Sequence, residues 1–207
     1  MDLKDQNLDA EASSQIQGSP HPQQAQTDAV GEAQSDGRIL HVYFEGWKRD
    51  GIRVCDSDKT SVLYTAEVLL KKPYMTLHSA SSNTNIATVN FHTLSTRIDA
   101  TIHNQSIKLA ASGLLKLPYS YDSPAFGGMK MTWKPRSKLD ELKLVLLDDK
   151  SIPVAKFDPS NWSTHKSGKF ELLERSTSNA GVMDEVVSTG LAVIWYRTVQ
   201  RMLVAAT

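Results

Sequence analysis

From residue 39 onwards the chain is built of short runs in which apolar and polar residues alternate, separated by turn residues. A period of two is typical of β-strands, because successive side chains point to opposite faces of the sheet. In residues 97–103, for example, Ile98, Ala100 and Ile102 share one face. The pattern predicts strands over residues 39–44, 61–70, 74–79, 86–93, 97–103, 106–110, 114–117, 129–134, 142–147, 152–157 and 169–174. About twelve strands joined by short polar turns predict a sandwich or a closed barrel.

Residues 183–205 have a different pattern and predict one long helix. Val187, Leu191 and Ile194 form one apolar stripe, but Trp195 falls on another face, so the first three turns are apolar nearly all round. A helix of this kind is buried on every side. Two environments can bury it, namely the strands that precede it or a lipid bilayer.

The length of the apolar run favours burial by the strands. A membrane span needs about 20 mostly apolar residues, whereas Arg197 interrupts this helix after only eleven residues counted from Val186. An arginine near the middle of a span costs at least about 2.5 kcal/mol. We therefore expect a helix buried within the protein, with a membrane anchor as the alternative.

Three further residues carry expectations about packing. Asp184 and Glu185 would lie in the first turn of the helix, where carboxylates complement the helix dipole. Gly190 would allow a strand backbone to approach the helix closely, at a cost of roughly 1 kcal/mol of helix propensity. Pro153 lacks an N–H group, which predicts that its strand lies at a sheet edge or starts at this residue.

The net charge of zero hides an asymmetry between two parts of the chain. Residues 1–37 contain seven acidic residues, one basic residue and no aromatic residue. Such a segment buries too little apolar surface to offset the entropy of ordering, so we expect a disordered acidic tail followed by one domain over residues 38–207. That domain has 22 basic and 16 acidic residues. The excess favours anionic partners, although it could also serve solubility alone.

The sequence carries little that indicates catalysis or metal binding. Cys55 is the one cysteine, and the acidic Asp56 and Asp58 beside it raise a thiol pKa rather than lower it. The six histidines have no metal-ligand spacing, and no acid–base pair stands out. We therefore expect no catalytic residue, no metal and no cofactor. The first fifteen residues are acidic and polar, which predicts no secretory signal and a cytoplasmic location.

Four stretches resemble the tubby-like superfamily. They are Met131-Thr132-Trp133-Lys134, the hairpin LKLVLLDDKSIPVAKFDPSNW, the strand Gly168–Leu173 and the helix MDEVVSTGLAVIWYR. This superfamily includes tubby C-terminal domains, plant LURP-one-related proteins and phospholipid scramblases, and these stretches more closely resemble uncharacterised fungal members. The resemblance covers roughly residues 39–205. It implies a mainly β fold, a closed antiparallel β-barrel of about twelve strands with the hydrophobic C-terminal helix, 183–205, buried along its axis.

The resemblance also bears on ligands. Tubby domains bind phosphoinositides through a basic pair and an asparagine on the barrel surface. Lys134-Pro135-Arg136 has a similar Lys-x-Arg spacing, but its proline departs from a strand-borne pair. Scramblases carry a calcium-binding acidic segment near the helix, and this sequence shows no convincing counterpart.

Basic residues cluster at Lys130, Lys134, Arg136 and Lys138, close to Trp133. Each basic residue near an anionic membrane contributes about 1 kcal/mol to binding, so these four residues form the candidate site for anionic lipid. The alternative is that Lys130 and Lys134 form the solvated face of a strand whose other face, with Trp133, lies in the core. A second basic pair, at residues 71 and 72, is interpreted as a solvated turn.

These observations favour a non-enzymatic binding or adaptor module at a cytosolic membrane face. Its expected partner is an anionic phospholipid or phosphoinositide, and other proteins are further candidate partners. The alternatives are a tail-anchored or scramblase-like membrane protein and a protein-interaction scaffold without lipid binding. Nucleic acid is not expected, because that function requires a denser basic stripe with exposed aromatic residues.

Overall fold

A computed structural model describes residues 37–45, 50–92, 95–111, 118–137, 140–160 and 166–205. The predicted tail therefore lies outside the described residues except for Gly37, and so does the strand predicted at 114–117. Each described strand pairs antiparallel with its neighbours in sequence, and the first pairs with the last to close a barrel. The strands are β1 (Arg38–Glu45), β2 (Gly51–Cys55), β3 (Val62–Val68), β4 (Met75–Ser79), β5 (Asn85–Phe91), β6 (Ile98–Ile102), β7 (Gln105–Ala111), β8 (Tyr119–Ser123), β9 (Met129–Pro135), β10 (Leu144–Leu147), β11 (Pro153–Pro159) and β12 (Lys166–Leu172).

The predicted fold class, a closed antiparallel barrel of twelve strands, is confirmed. Two strands were not predicted, β2 and β8. In β8 the side chains that face the core are Tyr119, Tyr121 and Ser123. The core-facing side chains of this strand carry hydroxyl groups, and the side chains between them are also polar. The alternation of apolar and polar residues is therefore not visible in the sequence.

Pro153 is the first residue of β11, as the second of its two predicted positions allows. Closure removes edge strands from the sheet altogether. A proline at the start of a strand leaves the remaining ladder intact, and the β10–β11 register shifts between Leu146 and Leu147, next to this position.

The C-terminal helix, α1, spans Ala180–Ala205 and therefore begins three residues before the predicted start. Asn179 caps it, since the Val182 N–H donates to Asn179 Oδ1 at 2.9 Å. An asparagine at this position satisfies one of the free N–H groups of the first turn. Asp184 and Glu185 consequently lie in the second turn, so the predicted placement in the first turn is wrong.

α1 lies inside the barrel, and its side chains contact strands on all sides. Phe44 of β1 packs on Trp195, with ring centroids 5.8 Å apart. Phe91 of β5 packs on Tyr196 at 5.1 Å. Trp133 of β9 donates from Nε1 to Thr189 Oγ1 at 3.1 Å. The helix is buried by the strands, as its apolar circumference predicts.

Gly190 lies where α1 meets two aromatic side chains of the barrel wall. A Cβ atom at this position would be 2.7 Å from Phe170 Cε1 and 3.0 Å from Trp133 Cζ2. The predicted close approach is confirmed, but the partners are aromatic rings rather than a strand backbone. Any side chain here would displace rings that are fully buried.

The barrel has two ends that hold α1 differently. We call the end where α1 begins the proximal end and the opposite end the distal end. At the proximal end Asp184 accepts hydrogen bonds from Tyr64 Oη at 2.7 Å and bonds His103 Nε2 at 2.8 Å. Glu185 accepts a bond from the Ala125 N–H at 2.9 Å and another from Ser123 Oγ. The bonded barrel residues lie next to the β2–β3, β6–β7 and β8–β9 connections. The connections that follow even-numbered strands are therefore at the proximal end, and those that follow odd-numbered strands are at the distal end.

Candidate functional site

The predicted basic group lies on β9 and the residues that follow it. Met131 and Trp133 face the core and are fully buried, so the alternating Lys130 and Lys134 face outwards and are exposed. The two lysines are four positions apart, a distance of about 13 Å along the strand. Lys138 lies outside the described residues. The structure therefore places Trp133 in the core, as the alternative interpretation of this strand predicts.

The described members of the group are spread along the barrel. Lys130 lies near the proximal end and pairs in register with Asp122 of β8. Lys134 and Arg136 lie towards the distal end, where Arg136 forms an ion pair with Asp158 at 3.2 Å. Lys134 is opposite Val145 of β10. Only Lys134 and Arg136 thus remain as neighbours at one end.

The structure adds Lys143 to this pair. The Arg136 N–H donates to the Lys143 carbonyl oxygen at 2.7 Å, which closes the connection between β9 and β10. Lys143 is exposed. Lys134, Arg136 and Lys143 together are called the basic rim. Sequence reasoning missed Lys143, although pairing the two strands as a hairpin would have placed it beside Arg136.

The carboxylates near the basic rim are largely engaged elsewhere. Asp158 is bound by Arg136, and Glu141 forms an ion pair with Arg197 of α1. Asp140 Oδ1 accepts a bond from the Leu142 N–H at 3.1 Å. No described carboxylate lies within ion-pair distance of the ammonium groups of Lys134 and Lys143. Both charges are therefore available to an anionic partner.

A surface cleft of about 460 Å³ has the opposite character. Glu45, Asp50, Glu67 and His78 contribute to its lining. Three carboxylates repel an anionic headgroup, and Glu45 already binds Arg53 Nε at 2.6 Å. This cleft therefore cannot serve the expected anionic ligand.

The four histidines in the described ranges do not converge inside the barrel. His41 and His78 alternate with core residues of β1 and β4 and so point outwards. His92 bonds Asp99 Oδ2 at 2.6 Å on the rim of the barrel, and His103 is bound to Asp184. Across the described parts of the chain, no cluster of three or more His, Cys, Asp or Glu residues could hold a metal ion.

The buried ionisable groups at the proximal end have structural surroundings. Burial raises the pKa of the Glu185 carboxyl, against the lowering effect of its bonds from Ser123 and Ala125. Burial also raises the pKa of the Tyr64 hydroxyl, with the neighbouring Asp184 adding to the shift. Burial likewise raises the pKa of the Cys55 thiol, which suits a core residue and not a nucleophile. These carboxylates bind barrel residues and fix the position of α1.

No helix in the described ranges combines the length and apolarity that a membrane span requires. The apolar part of α1 faces the inner side of the strands instead.

The backbone is similar to the X-ray structure of a protein from Arabidopsis thaliana. The TM-score is 0.50 at 13% sequence identity, and the match covers 76% of this chain and 88% of that chain. At this identity the similarity concerns the fold alone, and it fits the barrel that the resemblance implied. No protein-family model matches the chain, and no curated protein matches its sequence. The structure itself establishes the class of fold, a closed antiparallel barrel built around its own C-terminal helix.

Proposed function

We propose that the chain is a non-enzymatic binding module whose distal end binds anionic phospholipid at a cytosolic membrane face. The observation that carries this proposal is the basic rim, where the charges of Lys134 and Lys143 are exposed and have no ion-pair partner among the described carboxylates. The resemblance to the tubby-like superfamily supports the same ligand class. Lys138, a fourth predicted member, follows the described part of this connection.

The expected affinity is modest. Each basic residue near an anionic surface contributes about 1 kcal/mol, so three residues correspond to about a hundredfold preference over a neutral surface. Arg136 contributes less than the lysines if it stays bound to Asp158. The attraction acts within about 8–10 Å at physiological ionic strength and weakens with added salt.

The experiment is co-sedimentation of the full-length chain with vesicles of neutral, phosphatidylserine-containing and phosphoinositide-containing composition at two salt concentrations. We expect salt-sensitive binding to both anionic compositions and none to neutral vesicles. Stronger binding to phosphoinositide at equal total charge would indicate headgroup recognition, whereas equal binding would indicate a general charge effect.

A pair of matched variants tests the location. Lys134→Glu/Lys143→Glu reverses two charges of the basic rim and should weaken binding. Lys130→Glu/Lys150→Glu reverses two exposed charges near the proximal end, with the same change in net charge, and should preserve it. Absence of binding to every vesicle would refute the proposal and leave a protein-interaction scaffold as the remaining candidate.

A further inference from the structure

The connection between β3 and β4 presents an exposed apolar side chain on a fixed base. The Leu69 N–H donates to the Tyr74 carbonyl oxygen at 2.9 Å, and the Tyr74 N–H donates to Val89 at 2.9 Å. The Tyr74 ring stacks on Phe91 with centroids 5.2 Å apart. The base of the loop is thus held by the barrel wall, while its apex, residues 70–73, is exposed.

Leu70, at this apex, is 90% exposed. The other large apolar residues exposed in the described ranges, Ile39 and Ile152, are 37% and 48% exposed. A single exposed leucine is common on protein surfaces and is no site by itself. What distinguishes Leu70 is its position at the apex of the loop, directly followed by two exposed lysines, Lys71 and Lys72.

The charges of these two lysines are not used within the described structure. No described carboxylate lies within ion-pair distance of either ammonium group. Lys71 and Lys72 are exposed, as the interpretation of this pair as a solvated turn predicts. That interpretation gives their charges no binding partner. An apolar tip flanked by free cations matches the interface of an anionic bilayer, where the apolar group enters the headgroup region and the cations bind phosphates.

The loop and the basic rim lie at the same end of the barrel. Both follow odd-numbered strands, β3 and β9, and the strand order places these strands on opposite sides of the closed sheet. A planar surface that touches both must therefore lie across the distal end. The acidic cleft lies beside the base of this loop, since Glu45, Asp50 and Glu67 are at the same end of the barrel and the Val68 N–H donates to the Asp50 carbonyl oxygen at 2.9 Å. The apex, residues 70–73, follows the end of β3 and is not part of the cleft lining. The apex and not the cleft is therefore the part of this region that suits an anionic surface.

We propose that the β3–β4 loop is the segment of this protein that enters the bilayer surface, with Leu70 in the interfacial region and Lys71 and Lys72 at the headgroups. This inference rests on the proposed lipid-binding function and deepens it, because it names the inserted residue and orients the barrel with its distal end towards the membrane.

The test places an environment-sensitive fluorophore on the full-length protein through Leu70→Cys or, as a control, Ile152→Cys. Ile152 is the matched site because it is exposed, apolar and close to a lysine, but lies in the β10–β11 connection at the proximal end. The native Cys55 is fully buried and so does not compete for the label in the folded protein. Vesicles carry phosphatidylserine and a quencher attached to the acyl chains.

We expect a blue shift and quenching of the fluorophore at position 70 and neither at position 152. We also expect Leu70→Ser to weaken binding at least about tenfold, from the loss of a buried leucine, and Ile152→Ser to leave it unchanged. An unshifted fluorophore at position 70 on vesicles that still sediment the protein would overturn the loop assignment and spare the proposed function. Failure of the unsubstituted protein to sediment would overturn both.

Discussion

At the proximal end α1 is held mainly by hydrogen bonds, whereas at the distal end it is held mainly by aromatic packing. Asp184 and Glu185 accept bonds from barrel side chains and from a backbone N–H group. Trp195 and Tyr196, about three turns later, pack on rings from β1, β5 and β8 instead. The same helix thus uses buried carboxylates where it starts. Near its end it uses packed rings, together with the Arg197–Glu141 ion pair and a bond from Tyr196 Oη to the Ser95 carbonyl oxygen at 3.4 Å.

The comparison distinguishes side chains that stabilise the fold from surface charges that remain available for binding. Hydrogen bonds to buried carboxylates specify one depth and one rotation of α1, since a displaced helix would leave charges unpaired in the core. The aromatic half supplies most of its stabilisation through buried apolar area. On the outer surface the proximal arginines Arg38 and Arg175 bind Asp56 and Asp148. At the distal end Arg136 and Arg197 are likewise paired, with Asp158 and Glu141. The lysines of the basic rim have no ion-pair partner in the described structure, so their charges are free to bind a ligand.

The largest effect should come from removing α1 altogether. Deleting residues 183–207 takes away the interior of the barrel, because α1 fills the space that the core side chains of the strands face. We expect loss of cooperative unfolding in urea and loss of near-UV circular dichroism. A truncated chain that still unfolds cooperatively would contradict an internal helix and favour a membrane anchor.

Trp195→Ala tests the aromatic half and should cost about 3–5 kcal/mol, as is usual for a buried tryptophan. Trp195 is 5% exposed, and its Nε1 makes no hydrogen bond within the described structure. The loss is therefore one of packing. Trp195→Phe, which keeps most of the ring contacts, is the matched control and should cost much less in urea unfolding. Equal losses would argue against packing as the main contribution.

Gly190→Ala lies between the two halves and should destabilise the fold by about 1–3 kcal/mol through overpacking. Helix propensity favours alanine by roughly 1 kcal/mol, so a measured loss would mean that the contact with Phe170 and Trp133 outweighs it. Gly181→Ala, in the first turn and 3.4 Å from its nearest atom, is the control. A Gly190→Ala variant as stable as the parent would mean that the rings move without cost.

The smallest effect concerns pH and the polar half. Burial raises the pKa of Glu185 above the ordinary value of about 4.3. At pH values between the ordinary pKa and the raised pKa of Glu185, the folded chain binds more protons than the unfolded chain. The free energy of unfolding therefore falls as the pH rises through this window. Glu185→Gln should flatten this slope, whereas Glu174→Gln, at an exposed position, should not. Urea midpoints measured across this window provide the check, and an unchanged slope in Glu185→Gln would contradict the assignment.

The barrel could be predicted because its signal is distributed over many strands. Period-two alternation in most of them, together with one helix apolar on all sides, leaves few architectures. The start of α1 was predicted three residues too late, because the sequence contains two start signals. The acidic Asp184 and Glu185 suggest a later start, whereas the structure uses Asn179, whose side chain accepts a bond from the Val182 N–H. The strand β8 was missed because tyrosine and serine replace aliphatic residues in its core face.

The candidate site was predicted less well than the fold. The sequence places Lys130 and Lys134 in one group because they are four positions apart, but a strand carries them to different ends of the barrel. Lys143 is seven positions from Arg136, and their proximity becomes apparent only when the strands on either side are paired as a hairpin. An even spacing within one strand predicts that two side chains share a face. To predict which side chains are close in space, one must also know which strands pair.

The measurement that tests the central claim most directly compares the two charge-reversal variants on phosphatidylserine-containing vesicles at low salt. The account predicts that Lys134→Glu/Lys143→Glu binds at least about tenfold more weakly than Lys130→Glu/Lys150→Glu, since each lost lysine removes about 1 kcal/mol of attraction. Equal binding by the two variants would contradict a distal binding surface.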